Sequence, residues 1–327
     1  MENLSNVVVV KSDGQMKRQK LKTWGFYISV VALPLMQFCI FYIGVNFNSL
    51  LMAFQNFKPG TMVVETWTFD NFRTLWQQWS GVDITLKSAL KTSLFGFGIN
   101  VLLGMTSGVL FSYYIFKKMP MYALFKVVLF MPSIISSMVM TMAYQYFMID
   151  GVAAIAEIFN VEIEPSFMFN TKALIGGESS IITRSLLTIV IYNVWVGFGT
   201  QILMYVGSMS GISEGTIEAG QIDGVNAVRE FWHIVLPSIW PTFVVFLTAQ
   251  IAVIFTNQMS LMNFGSGSNV NTIGYHIFKN MERITRKAGN YHELTLYSAL
   301  GITCSAIAIP ITLGVRWLLT KFGPSEE

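Results

Sequence analysis

The sequence predicts an all-α membrane protein of about six transmembrane helices, and three observations lead there. The 327-residue chain is 53% hydrophobic and 12% charged, with a mean hydropathy of +0.54, whereas soluble domains are about a quarter charged. The charges are missing from whole blocks of sequence, and about 20 apolar residues of helix cross ~30 Å of hydrocarbon. Lys and Arg gather at the ends of those blocks, which orients a membrane protein and is not a nucleic-acid footprint. A soluble protein with an unusually apolar core is the alternative, and the blockwise exclusion of charge counts against it.

Lys11, Lys17, Arg18, Lys20 and Lys22 precede a first span at 24–52. By the positive-inside rule they hold segment 1–23 in the cytoplasm. The apolar stretch is too long for a cleavable signal, and no small-residue cleavage site follows it. The polar stretch 55–87 then lies outside. Its Trp67, Trp76 and Trp79 suit either a helix at the headgroup level or a small packed loop.

A second span at 89–116 ends on Lys117-Lys118, and a third at 123–148 follows a turn at Pro120. The segment 150–184 is acidic, contains Gly176-Gly177, and reads as an external loop. A fourth span covers 185–208, a fifth 238–260 and a sixth 294–319, so 24–320 is one membrane domain with a cytoplasmic loop at 211–236. The tail 321–327 returns to the side of the N-terminus, with both termini cytoplasmic. The loop 263–293 should be external, yet it holds Lys279, Arg283, Arg286 and Lys287. Earlier spans dominate orientation, so the topology stands, and this loop reads as an amphipathic helix on the outer surface. No repeat of 20–50 residues is visible.

Chemistry is sparse. Cys39 and Cys304 lie in apolar segments and imply no disulfide framework or metal site, and His233, His276 and His292 are widely separated. No G-x-x-x-x-G-K-[ST] is present, so the chain has no phosphate-cradling loop and no cofactor of its own.

The most informative stretch is Glu218-Ala219-Gly220-Gln221-Ile222-Asp223-Gly224, continuing to Ile234-Val235-Leu236-Pro237 and Pro241. It reads as two short helices joined at a glycine. Ser213 caps the first, with Glu214 in its first turn. Gly224 takes the left-handed position that ends it, and Asn226 caps a second helix that must stop before Pro237. An ordered helix–turn–helix outside the membrane is a docking surface. The bland alternative is an ordinary loop between spans.

These residues resemble the signature of permease subunits of binding-protein-dependent ABC importers: E-A-A, three residues, G, nine residues, I-x-L-P. Glu218-Ala219 match, Gly220 replaces the second alanine, Gly224 is the motif glycine, and Ile234, Leu236 and Pro237 complete it. Asp223-Gly224, Phe231 and Pro241 look like the carbohydrate-uptake branch. Leu129-Phe130-Met131-Pro132, which opens the third span, and the six-span layout look like the maltose-transporter type, with the type I importer permease fold. The resemblance implies that Glu218, Ala219, Gly220, Asp223 and Gly224 form a coupling helix on a cytoplasmic ABC ATPase dimer that carries ATP and Mg. It also implies a second permease subunit of a different chain, an extracytoplasmic sugar-binding protein and a sugar or oligosaccharide substrate, with the chain in the bacterial inner membrane.

The spans hold essentially no charge, which disfavours coupling to an ion gradient. Their neutral polar groups are candidates for the substrate pathway. Asn193, Gly197, Thr200 and Gln201 form one helical stripe, Gln250 and Asn257 share a face beside Gln258, and Tyr144 lies at the outer end of the third span. Amides and rings suit a polyhydroxylated ligand, and the resemblance favours Tyr144, Gln250, Asn257 and Gln258. The bland alternative is that these amides hold helices together. An ABC permease for glycerol phosphate would want basic pore residues, and none is evident. A membrane-embedded transferase would need acids, histidines or a metal near the membrane face. Its candidates, Glu218, Asp223, Glu230 and His233, are better explained by the signature.

Overall fold

The computed structural model describes residues 13–58, 60–80, 84–162, 183–265, 270–286 and 291–324. Lys11, Lys287 and most of the loop 150–184, with Gly176 and Gly177, lie outside them. Among the described residues six helices are long and apolar enough to cross a membrane, matching the expected number: Lys22–Met52, Thr85–Phe116, Ser137–Ile158, Arg184–Met209, Ala227–Ala252 and Tyr291–Phe322. We call these the first to sixth spans.

The fourth span is the axis of the bundle. Its buried residues include Leu186, Ile189, Val190, Tyr192, Ile202, Tyr205 and Met209, spread around its circumference, as expected of a helix surrounded by others. It packs against the second span, the helix Tyr122–Ile134 and the fifth span, and it meets the third through Thr141 and Tyr144. By contrast, the apolar side chains of the first span from Trp24 to Ile43, and Phe47 and Leu50 beyond them, are exposed. Lipid or another membrane subunit must cover them.

At one end of the bundle, a two-stranded hairpin pairs Gln55–Phe57 with Val64–Trp67, and a helix, Asp70–Ser80, packs on the sixth span. Asn71 fixes that helix: its Nδ2 donates to the Ala53 and Gln55 carbonyls at 3.0 Å, and its Oδ1 accepts from Thr295 at 3.3 Å. Trp67 and Trp76 remain exposed, so the stretch is both packed and able to present tryptophan to a headgroup layer. At the same end, Ile273–Arg286 is strongly amphipathic. It buries Ile273, Tyr275 and Ile284 and turns Lys279, Arg283 and Arg286 outward. Arg283 pairs with Glu293 and Arg286 with Glu282 on the exposed surface.

Three expectations need correcting. The third span is not one helix over 123–148. A shorter helix, Tyr122–Ile134, ends at Ile135 and Ser136, both extended, and the membrane-length helix is Ser137–Ile158. Pro132 therefore lies inside the lead-in helix and does not open the span. The fifth span does not begin at Ser238, and the helix capped by Asn226 does not stop before Pro237. It starts at Ala227, widens into a π-helical turn over Phe231–Val235 and continues as Leu236–Ala252. Such a turn breaks the regular i→i−4 ladder, just where Pro237 lacks a donor and would crowd a helical carbonyl. Finally, the fifth span ends at Ala252 instead of reaching 260, and the backbone from Val253 to Ser260 is irregular.

Candidate functional site

Two regions carry the polar groups singled out in the sequence, at opposite ends of the fifth span. The first is the segment 213–226. Its helix, Glu214–Ile222, starts at Ser213, whose Oγ accepts from the Thr216 N–H at 3.2 Å. It ends in a Schellman arrangement. Val225 N–H donates to the Gly220 carbonyl at 3.0 Å and Gly224 N–H to the Gln221 carbonyl at 3.1 Å. Gly224 is left-handed, with φ of 75°, which a side chain makes costly. Asn226 then accepts from the Arg229 N–H at 2.9 Å and opens the fifth span. Every local feature expected of this segment is present except the second short helix, which is the start of the span itself.

No residue of this helix is buried. Glu218, Ala219 and Asp223 are exposed, and Ile222 is 86% exposed. Val228 and Trp232 add apolar surface beside it. A capped helix with its apolar and acidic side chains in solvent has its backbone satisfied and its side chains free, the condition for docking. Gly220 is the exception. A methyl there would lie 2.9 Å from Ile234 Cδ1, so its missing side chain accommodates the signature isoleucine of the same chain. Beneath the segment, Tyr113, Tyr205, Met209, Phe231, Val235 and Ile239 form a buried cluster that joins the second, fourth and fifth spans.

The second region is a narrow cleft of about 20 Å³ where the fifth span breaks. Gln250, Asn257 and Asn193 line it, and so do Ser93 and Asn100 of the second span, which the sequence reading did not single out. Their seven-residue spacing puts them on one helical face, the signal that could have found them. Because the helix ends at Ala252, the shared helical face expected for Gln250 and Asn257 does not exist. The two meet in the cleft because the chain turns.

The broken backbone consumes most of these polar groups. Met259 and Ser260 are both left-handed, with φ of 50° and 58°, a conformation that carries strain for residues with a Cβ. Asn193 holds them. Its Nδ2 donates to the Ile189 carbonyl at 2.8 Å and the Met259 carbonyl at 2.9 Å, while its Oδ1 accepts from Ser260 at 3.1 Å. Asn257 Oδ1 accepts from the Met259 N–H at 2.8 Å, and its carbonyl accepts from Thr272 at 3.1 Å. A Cβ on Gly274 would overlap the Thr256 carbonyl, so glycine there permits the close approach. Non-helical backbone at membrane depth persists only where protein or a water-filled cavity satisfies it, and these amides do so. The Gln250 amide has no such partner among the described residues and faces the cleft.

The remaining candidates lie elsewhere. Tyr144 is buried among Tyr192, Trp195 and Phe264, and its hydroxyl donates to the Thr188 carbonyl at 3.0 Å. Gln201 is buried against Gly108 of the second span, with Oε1 unpartnered. Gln258 is half-buried and outside the cleft lining.

Comparison with known proteins places both regions in context. The family described as the binding-protein-dependent transport system inner membrane component matches residues 100–326. The chain is 21% identical to the arabinooligosaccharides transport system permease protein of Halalkalibacterium halodurans, over 95% of both chains. It is 22% identical to the sn-glycerol-3-phosphate transport system permease protein of Pectobacterium atrosepticum, over 76% of this chain and 81% of that one. The first curated relatives that it matches are covered over less than half their length, 42% and 41%. In structure it resembles a chain of a bacterial ABC transporter involved in the import of alginate, with a TM-score of 0.72, 18% identity, and 94% and 99% of the two chains covered.

Proposed function

This chain belongs to the family of binding-protein-dependent transport system inner membrane components, and from that premise we propose that it is the permease of an ATP-driven sugar importer. It forms half of a translocation pathway for a sugar or oligosaccharide handed over by an external binding protein. A second permease supplies the other half and covers the exposed first span. Energy enters from a cytoplasmic ATPase dimer that binds ATP and Mg. Glu218, Ala219, Gly220, Asp223 and Gly224 present the docking helix to it, which places both termini on the cytoplasmic side of the membrane.

The observation that carries this reading is the helix Glu214–Ile222: capped at both ends, exposed along its length, and fixed by its ends to three spans. Closure of the nucleotide sites would push the helix as a unit and tilt the spans below it. At the far end of the fifth span the cleft offers Gln250 and one donor of Asn257 to a hydroxylated ligand. No charged side chain lines it, which favours a neutral sugar over the anion named for the Pectobacterium relative. The test is ATP-dependent uptake into vesicles holding the complete transporter, with neutral oligosaccharides and sn-glycerol 3-phosphate offered in parallel. Uptake of the oligosaccharides alone is expected. Uptake of the phosphate alone would reassign the substrate, and no ATP-dependent uptake of any solute would remove the importer reading.

A further inference from the structure

One buried charge lies outside both regions. Glu230, in the first turn of the fifth span, is 4% exposed. Both of its carboxylate oxygens accept from Lys117 Nζ, at 2.9 and 3.0 Å. Lys117 directly follows the second span, at the C-cap of its last helix. The Tyr113 hydroxyl, one turn earlier, donates to the Ala227 carbonyl at 3.0 Å, with Glu230 Oε1 at 3.4 Å. The Tyr113 ring packs on Phe231 at 5.2 Å.

Each charge also suits its own helix. The last carbonyls of the second span favour a cation, and the first amides of the fifth span favour an anion. Removing water from two charges is costly, and an apolar pair often stabilises a fold as well. What such a pair adds is a directional link between two parts. Here it joins the end of the second span to the residues just after the docking helix. A push on Glu214–Ile222 can reach the second span through the apolar cluster beneath it and through this pair, with the Tyr113–Ala227 hydrogen bond beside it.

We propose that Lys117 and Glu230, braced by Tyr113, are positioning residues: a strut that makes the second span move with the docking helix. The inference rests on the docking role given to that helix. The second span brings Ser93 and Asn100 to the cleft, so the strut would connect the ATPase side to the substrate side.

The test uses the complete transporter in vesicles, with three readouts: co-purification of the ATPase, ATP hydrolysis and solute uptake. The paired change Lys117→Met/Glu230→Met removes both charges and leaves none unpaired. It should insert and retain the ATPase, while uptake per ATP hydrolysed falls by about tenfold or more. Glu230→Gln alone should lose as much, and the exchange Lys117→Glu/Glu230→Lys should recover part of the loss, although each charge then opposes its helix dipole. Tyr113→Phe, which removes one hydroxyl, gives a milder arm, about two- to fivefold. Wild-type uptake per ATP by the Met pair would overturn the strut, because packing alone would then suffice. An exchange no better than Glu230→Gln would also overturn it. If the wild-type chain retains no ATPase, the docking reading fails and the strut falls with it, whereas loss confined to the variants at 113, 117 and 230 speaks to the strut alone.

Discussion

The segment 213–226 and the cleft at the end of the fifth span both carry polar residues in an apolar chain, and they use them in opposite ways. In the segment, backbone groups are satisfied by neighbours within a few residues: the Thr216 N–H by Ser213, the Gly224 N–H by Gln221, the Arg229 N–H by Asn226. Its long side chains are left free. In the cleft the backbone is broken, and side chains from far away in sequence repair it, Asn193 reaching Met259 across 66 positions. A polar side chain is thus free for function where the backbone does not draw on it.

Replacing Gly224 by Val should have the largest effect. The left-handed position costs a residue with a Cβ ~1–2 kcal/mol, and relieving that strain would re-aim the fifth span relative to the docking helix. Uptake should be lost and ATPase co-purification with it, while insertion in the membrane is normal. A chain with Gly224→Val that transports normally would mean that the geometry of the segment is incidental.

Asn193→Leu and Gln250→Leu separate the two uses of an amide. Asn193→Leu leaves the Met259 carbonyl and the Ser260 hydroxyl unpaired, at ~1–3 kcal/mol for each buried group. The protein should denature at a lower temperature in detergent, with uptake reduced. Gln250→Leu should leave thermal stability unchanged and raise the KM for uptake by about two- to tenfold, the loss of one hydrogen bond of ~0.5–1.5 kcal/mol. Equal stability losses in the two variants would erase the distinction between strut and ligand group.

Gly220→Ala should be the smallest change. It restores the alanine of the signature and favours the helix by up to ~1 kcal/mol, against a shift of the flexible end of Ile234. Transport within about twofold of wild type is expected. A loss of tenfold or more would mean that the partner, and not Ile234, approaches this glycine.

The sequence could be read well where structure is local. Span number follows from apolar length, and the caps and turn of the segment follow from Ser213, Gly224 and Asn226, whose preferences act over three or four residues. It could be read poorly where tertiary contacts decide. Pro237 looked like a stop, yet the π-helical turn before it lets the helix continue. Pro132 looked like an opening, yet the helix began ten residues earlier and ended after it. Gln250 and Asn257 were expected on one helical face, and they meet only because the chain leaves the helix at Ala252. Tyr144 had the residue type of a sugar platform, but an aromatic cluster buries it. Burial of a particular ring depends on neighbours such as Phe264, 120 positions away, which no local period reveals.

The exposed helix Glu214–Ile222 is proposed to meet the ATPase on the cytoplasmic side. The most direct test is one cysteine at position 222, with Cys39 and Cys304 replaced, and a matched cysteine at position 76 at the opposite end of the bundle. In membranes carrying the assembled transporter, the cysteine at 222 should react with impermeant thiol reagents only from the cytoplasmic face. It should cross-link to the ATPase, while the one at 76 reacts from outside and does not cross-link. Labelling of position 222 from outside, or a transport-competent complex in which it never cross-links to the ATPase, would contradict the account.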